Sequence, residues 1–212
     1  SAQISLAENE NVEVIFASPG LQVSGGQILT FPLVLNSDLT FAGVHFATKN
    51  LRFNYANDVF TLTGQVQATI GGQSLTVTFG QGGTAGLRIA NGELTDLDMM
   101  FQGRLSLLGL EVELGTATNP ITITYSQATA NTPSLFTLSG QLSVPQLWNA
   151  AVILGSQGHP GLVVKGGDFE LEDVRFELSD VSLGAMTIDK LLVAFTSDTF
   201  AVTLDLWFPA GW

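Results

Sequence analysis

Gly86-Leu87-Arg88-Ile89-Ala90-Asn91-Gly92 lies in the middle of the chain and has two counterparts, at 20–26 and at 161–167. In each copy, glycines flank a short run in which Leu is followed two residues later by Ile or Val. A further glycine follows each copy at one distance, seventeen residues after the copy's last glycine. These glycines are Gly43, Gly109 and Gly184. A motif that recurs three times with one downstream spacing indicates internal duplication.

The segment after the middle copy alternates between apolar and polar side chains. Leu97, Met99, Phe101 and Leu105 share one parity, which predicts a strand with one buried and one exposed face. Leu94 has the opposite parity, and the other two copies switch parity at the matching place. Such a switch is typical of a β-bulge or a sheet corner.

The copies extend into three similar units, at 11–66, 74–142 and 150–212, within a single all-β body that spans 1–212. Residues 1–10 are polar and acidic, and we interpret them as a lead-in arm. Short turns join the strands, which predicts antiparallel pairing. The predicted fold class is therefore all-β, with three tandem antiparallel β-repeats that form an elongated β-solenoid or a long β-sandwich, and essentially no helix. The side chains predicted to point inward are Phe53, Tyr55, Phe60, Phe101, Leu105 and Phe136.

Three recurring motifs carry a resemblance to known proteins. They are Phe60-Thr61-Leu62-Thr63-Gly64, Val77-Thr78-Phe79-Gly80 and the central heptapeptide Gly86 to Gly92. Together they resemble the long tandem β-repeats of large exported and cell-surface proteins of environmental bacteria. The resemblance rests on structural glycines and alternating apolar residues. It implies an architecture and an extracellular setting, and it carries over no functional residues.

The composition excludes several classes of function. The formal net charge is −12, with 19 acidic and 7 basic residues, so nucleic acid and anionic membrane surfaces are not expected partners. There is no cysteine, which excludes disulfides and thiol chemistry. No apolar run approaches the ~20 residues of a spanning helix, so no membrane span is expected. Only 12% of the residues are charged, about half the usual share, and this favours an extracellular or cell-surface location.

The third unit contains a cluster of carboxylates. Asp168, Glu170 and Glu172 alternate with apolar residues and therefore share one face, and Asp173 follows directly. Such a cluster is usually a solvated face that keeps the protein soluble and discourages edge pairing. Hard oxygen ligands in this arrangement also suit a Ca²⁺ site, and Ca²⁺ is the one cofactor that the sequence suggests. A glycosidase acid–base pair is a third alternative, although no cleft is implied.

Three tryptophans, Trp148, Trp207 and Trp212, are the candidate ligand-binding side chains. An exposed indole on a β module can stack on the apolar face of a sugar ring. The same residues could instead be end caps that shield the last unit. The two histidines, His45 and His159, lie in a strand and in a turn, and we expect neither to belong to a metal site or a catalytic triad.

These observations predict a non-catalytic extracellular β-repeat module, a structural and self-assembling component of a surface or matrix structure. Its expected partners are copies of itself or neighbouring repeats. A carbohydrate-binding module of a larger secreted protein and a carrier of apolar ligands such as lipids are the alternatives. We further expect the end near Pro209 to be partly capped and the start of the first unit to be the more open edge. Such an arrangement favours head-to-tail contacts.

Overall fold

The computed structural model describes residues 2–7, 10–41, 43–81, 83–107, 109–116, 118–155, 159–184, 186–196 and 199–208. These residues form strands and turns and no helix, which confirms the all-β prediction. The strands, numbered in chain order, are β1 (Ala2–Ala7), β2 (Glu10–Phe16), β3 (Gln22–Ser24), β4 (Gln27–Thr30), β5 (Leu33–Phe41), β6 (Val44–Ala56), β7 (Val59–Ile70), β8 (Gln73–Phe79), β9 (Leu87–Ala90), β10 (Glu93–Leu107), β11 (Leu110–Leu114), β12 (Ile121–Ser126), β13 (Leu135–Val144), β14 (Ala150–Leu154), β15 (Leu162–Lys165), β16 (Asp168–Leu171), β17 (Asp173–Leu183), β18 (Met186–Thr196) and β19 (Thr199–Trp207).

All of these strands belong to one antiparallel sheet. β2 lies between β1 and β5, and β6 and β7 follow. The shorter strands β8 and β9 then lie end to end between β7 and the long β10. In the same way β11 and β12 lie between β10 and β13, and β14 lies between β13 and β17. β17, β18 and β19 complete the order.

One strand was not expected from the sequence. Ala2–Ala7 pairs with β2, with Ala2 opposite Val14 and Ala7 opposite Glu10. The interpretation of residues 1–10 as an arm is therefore wrong for this segment. Ala2, Ile4 and Leu6 alternate with Gln3 and Ser5, so this segment does carry the period-2 pattern of a strand, which the description of residues 1–10 as polar and acidic overlooked.

The predicted switch of parity is present. In β10 the register against β9 shifts between Leu94 and Asp96, which is the bulge that the opposite parities of Leu94 and Leu97 required. At the matching places of the other two copies the strand is interrupted, between β4 and β5 and between β16 and β17. Pro32 lies in the first of these interruptions, where a backbone N–H is not needed for the ladder.

The turn between β6 and β7 shows how local sequence closes a hairpin. Asn57 and Asp58 both have positive φ, 51° and 59°, as in a type I′ turn, and Ala56 pairs with Val59. The Tyr55 hydroxyl donates a hydrogen bond of 2.8 Å to Asp58 Oδ1, and this bond raises the pKa of Tyr55 above its ordinary value. The sequence predicted a turn at this place.

The register separates the side chains into an apolar face and a polar face. Phe101 lies between Val77 of β8 and Ile121 of β12, and directly opposed residues of paired strands share a face. Met100, the residue before Phe101, lies between Thr78 and Thr122 and projects from the opposite, polar face. The predicted inward residues from Phe53 to Phe136 all lie on the apolar face.

Burial on the apolar face is shallow. Among the described residues no side chain is fully buried, and the buried apolar residues are Pro32, Leu51, Ala151, Val163 and Val181. Of these, Ala151 and Val163 lie opposite Ser143 and Thr137 and so project from the polar face. The accessible surface is 12886 Å², roughly 3,400 Å² more than a compact monomer of this mass exposes. Phe101 and its neighbours on this face are half-buried. The sheet therefore leaves much apolar surface in contact with solvent. Within the described ranges, no helix is long and apolar enough to cross a membrane.

Candidate functional site

The predicted calcium ligands lie on β16 and at the start of β17. Asp168 and Glu170 are exposed, and Glu172 falls in the interruption between the two strands. Asp173 is engaged with a cation: Arg175 Nε and Nη2 donate to its two carboxylate oxygens at 3.0 and 2.7 Å. This pairing raises the pKa of Arg175, and it occupies the oxygens that a metal ion would need.

An open concavity of about 810 Å³ adjoins the acidic strand. Glu170, Glu172 and His159 line it together with the apolar side chains Phe169 and Phe195. In the part of the chain that the structure describes, no group of three Asp, Glu or His side chains is placed to hold a metal ion. The calcium site stays a prediction, and so does the solvated acidic face.

Two of the three tryptophans lie in the described residues. Trp148 is 56% exposed and has a positive φ of 53° in the turn between β13 and β14, where its carbonyl accepts a hydrogen bond from Ser179 N. Trp207 is 53% exposed at the end of β19. Three strand spacings separate their backbones, roughly 14 Å, so the two indoles do not form one platform. Trp212 lies outside the described residues.

The histidines occupy exposed positions. His45 Nε2 lies 2.5 Å from Asp38 Oδ1 across the β5–β6 pair, and both side chains are largely exposed. A pair in this setting contributes little to stability. His159 faces the open concavity beside β16.

The most unusual surface is the last strand of the sheet. Every residue of β19 is exposed, and among the described strands β19 pairs with β18 alone. Phe200, Val202, Leu204 and Leu206 alternate along it and project from the apolar face. Asp205 is its only charged residue. A long, apolar edge strand with few charges is a template for pairing with another chain.

A second open edge lies at β3, near the start of the chain. Within the described residues β3 pairs with β4 alone, whereas its counterparts β9 and β15 each pair on both sides. Leu21 and Val23 are 51% and 58% exposed there, and Phe16 at the end of β2 is 50% exposed. Between residues 71 and 168 of the described chain, Trp148 is the only large apolar side chain that exceeds half exposure. Ile70, Phe169 and Leu183 are also more than half exposed, so exposed apolar side chains are most numerous at these two edges but are not confined to them.

The sequence predicted a partial cap near Pro209 and a more open edge at the start. Trp207 and Phe208, which precede the predicted cap, are 53% and 54% exposed; near the start, β1 covers part of the β2 edge and β3 is open. Pro209 and Trp212 lie outside the described residues, so the cap itself stays a prediction. The alternation along 199–207 predicted a strand here, whereas its pairing on one side only, among the described strands, is visible in the structure alone.

Comparison with protein-family models, with curated proteins and with solved structures finds no match to this chain. The functional inference therefore rests on the geometry of the sheet and its edges.

Proposed function

We propose that the chain is a non-catalytic β-repeat module that assembles through the open ends of its sheet into a surface or matrix structure. The observation that carries the proposal is the concentration of exposed apolar side chains at β19 and at Phe16, Leu21 and Val23. Apolar patches of this kind mark interaction sites. The proposed setting is extracellular or at a cell surface, in keeping with the low content of charged residues.

The proposal includes three tandem units, at 11–66, 74–142 and 150–212. A recurring set of strand pairings supports it. β2, β8 and β14 each pair on one side with a preceding strand, β1, β7 or β13, and on the other with a long following strand, β5, β10 or β17. In a repeat array each unit covers the edge of its neighbour, so a unit whose edge is uncovered can accept a partner.

We expect self-association that depends on protein concentration. Sedimentation velocity or light scattering should give a mass above 22.4 kDa that grows as the concentration is raised. The physical reason is that association removes the apolar side chains of β19 from water. A strict monomer at high concentration would contradict the proposal.

A carbohydrate-binding module is the second candidate, and the exposure of Trp148 and Trp207 favours it. An indole that stacks on a sugar ring must be accessible in this way. Glycan binding by a monomer that is lost on Trp207→Ala would replace the assembly proposal with this one.

A further inference from the structure

We infer that β19 of one molecule adds to the first unit of a second copy in a defined register, with Phe200 opposite Val23, Val202 opposite Leu21 and Leu204 opposite Phe16. This inference rests on the proposed assembly function. The register comes from two junctions inside the chain, which show how a strand equivalent to β19 is paired when a unit follows it.

The first junction joins β7 to β8 and β9. Phe60 lies opposite Ile89, Leu62 opposite Leu87, and Gly64 opposite Phe79. Gly86 N also donates to the Leu62 carbonyl at 2.9 Å, which fastens the start of β9 to β7. The four apolar side chains of the Phe60 and Leu62 pairs are all half-buried.

The second junction repeats this arrangement between β13 and the pair β14 and β15. Phe136 lies opposite Val164, Leu138 opposite Leu162, and Gly140 opposite Leu154. Gly161 N donates to the Leu138 carbonyl at 3.1 Å. Each of these aliphatic and aromatic side chains is again half-buried. Two separate places in the chain thus pair an alternating strand with the next unit in one register.

β19 corresponds to β7 and β13 because each of these strands pairs with the strand before it through an aromatic pair at the same position. Phe60 pairs with Tyr55, Phe136 with Tyr125 and Phe200 with Phe195. The positions of Phe60, Leu62 and Gly64 therefore correspond to Phe200, Val202 and Leu204. On the other side, Leu21, Val23 and Phe16 occupy the places of Leu87, Ile89 and Phe79 in the first unit.

The six side chains that this register brings together are each at least half exposed in the single chain. Phe200, Val202 and Leu204 are 67%, 56% and 51% exposed. Val23, Leu21 and Phe16 are 58%, 51% and 50% exposed. The match of these two sets, and not apolar character alone, identifies a second copy of this chain as the partner.

The position of β1 leaves room for β19 of a second molecule but limits how many of its residues can pair with β2. Among the described residues, β1 pairs with β2 from Ala2 opposite Val14 onward, and none pairs with Phe16 on that side. In the inferred register, the β19 segment 199–205 lies beside β3 and the end of β2 and meets no described residue of β1. Leu206 and Trp207 would meet the places that Ala2 and Gln3 occupy. The contact joins different surfaces of the two molecules, so it is heterologous and generates open stacks or rings.

Disulfide cross-linking between two introduced cysteines tests this register directly, because the chain has no cysteine of its own. Ala201 falls opposite Gln22, at the place of the Thr61–Arg88 pair. The bond from Asn91 N to the Asp58 carbonyl, 3.1 Å, marks residues 58 and 91 as a hydrogen-bonded pair. Alternation along the ladder makes 61 and 88 a closely spaced, non-hydrogen-bonded pair. Its Cα separation of about 4.5 Å suits a disulfide.

We expect an equimolar mixture of the A201C and Q22C variants to form a covalent dimer under mild oxidation, seen on a non-reducing gel. The matched control is A201C with V23C, whose side chain lies on the opposite face, and it should cross-link far less. A homodimer of A201C alone would show β19 pairing with β19 and would overturn the inference. If the mass of the wild-type protein grows with concentration but no A201C–Q22C dimer forms, the register is wrong while the assembly function stands. Absence of growth in mass would remove the proposed function itself.

Discussion

Replacing Gly64 by alanine is expected to destabilise the protein by about 3–5 kcal/mol in urea denaturation. Gly64 lies inside β7 with a φ of +116°, a conformation that costs any residue with a Cβ. A Cβ added there would also overlap the backbone oxygen of Asn50 in β6. Backbone atoms of a paired strand cannot move aside as the end of a flexible side chain can, so strain and overlap add.

Gly167→Ala is the matched control for this change. Gly167 has a similar φ of +100°, but no atom lies within 4 Å of a Cβ built on it. Its substitution should cost only the conformational penalty of about 1–2 kcal/mol. Equal free energies of unfolding for the two variants would mean that β6 and β7 do not approach each other at Gly64 as described.

The second large effect is expected for Phe101→Ala, which should lower the free energy of unfolding by about 2–3 kcal/mol. Phe101 is flanked by Val77 and Ile121 on the apolar face of the central strand β10. Because the side chain is half-buried, the loss should fall below the ~3–5 kcal/mol of a fully buried phenylalanine.

Phe200→Ala, at the open edge, provides the comparison. Phe200 is 67% exposed, so its truncation should cost less than about 1 kcal/mol in dilute protein. The same variant should weaken self-association at high concentration. A cost at Phe200 as large as that at Phe101 would show that β19 is already covered within a single chain.

Much of the strand architecture could be predicted because its signals are local. The parity switch at Leu94, the hairpin turn at Asn57 and Asp58, and the apolar face that includes Phe101 all follow from the spacing of neighbouring residues. Each depends on backbone conformation and alternation, which short segments of sequence encode directly.

The extent of burial and the state of the edges could not be predicted in this way. Alternation shows that Phe101 and Phe200 each face one side of a sheet, but it does not show how many strands flank them. Exposure depends on the partners of each strand, and those are chosen over long sequence distances. The pairing of Ala2–Ala7 with β2 was missed, and the sequence left open whether Trp207 is exposed or covered. The Asp173–Arg175 pair was foreseeable, since residues two apart in a strand share a face.

The central claim is that the open edges of the sheet pair with one another between molecules. Hydrogen exchange of backbone amides, measured at low and at high protein concentration, tests this claim most directly, since amides that join an intermolecular ladder become protected. The account predicts that protection rises with concentration in 199–205 and 21–24 and stays constant in the central strand β10. Growth of the assembly with unchanged exchange at both edges would contradict it.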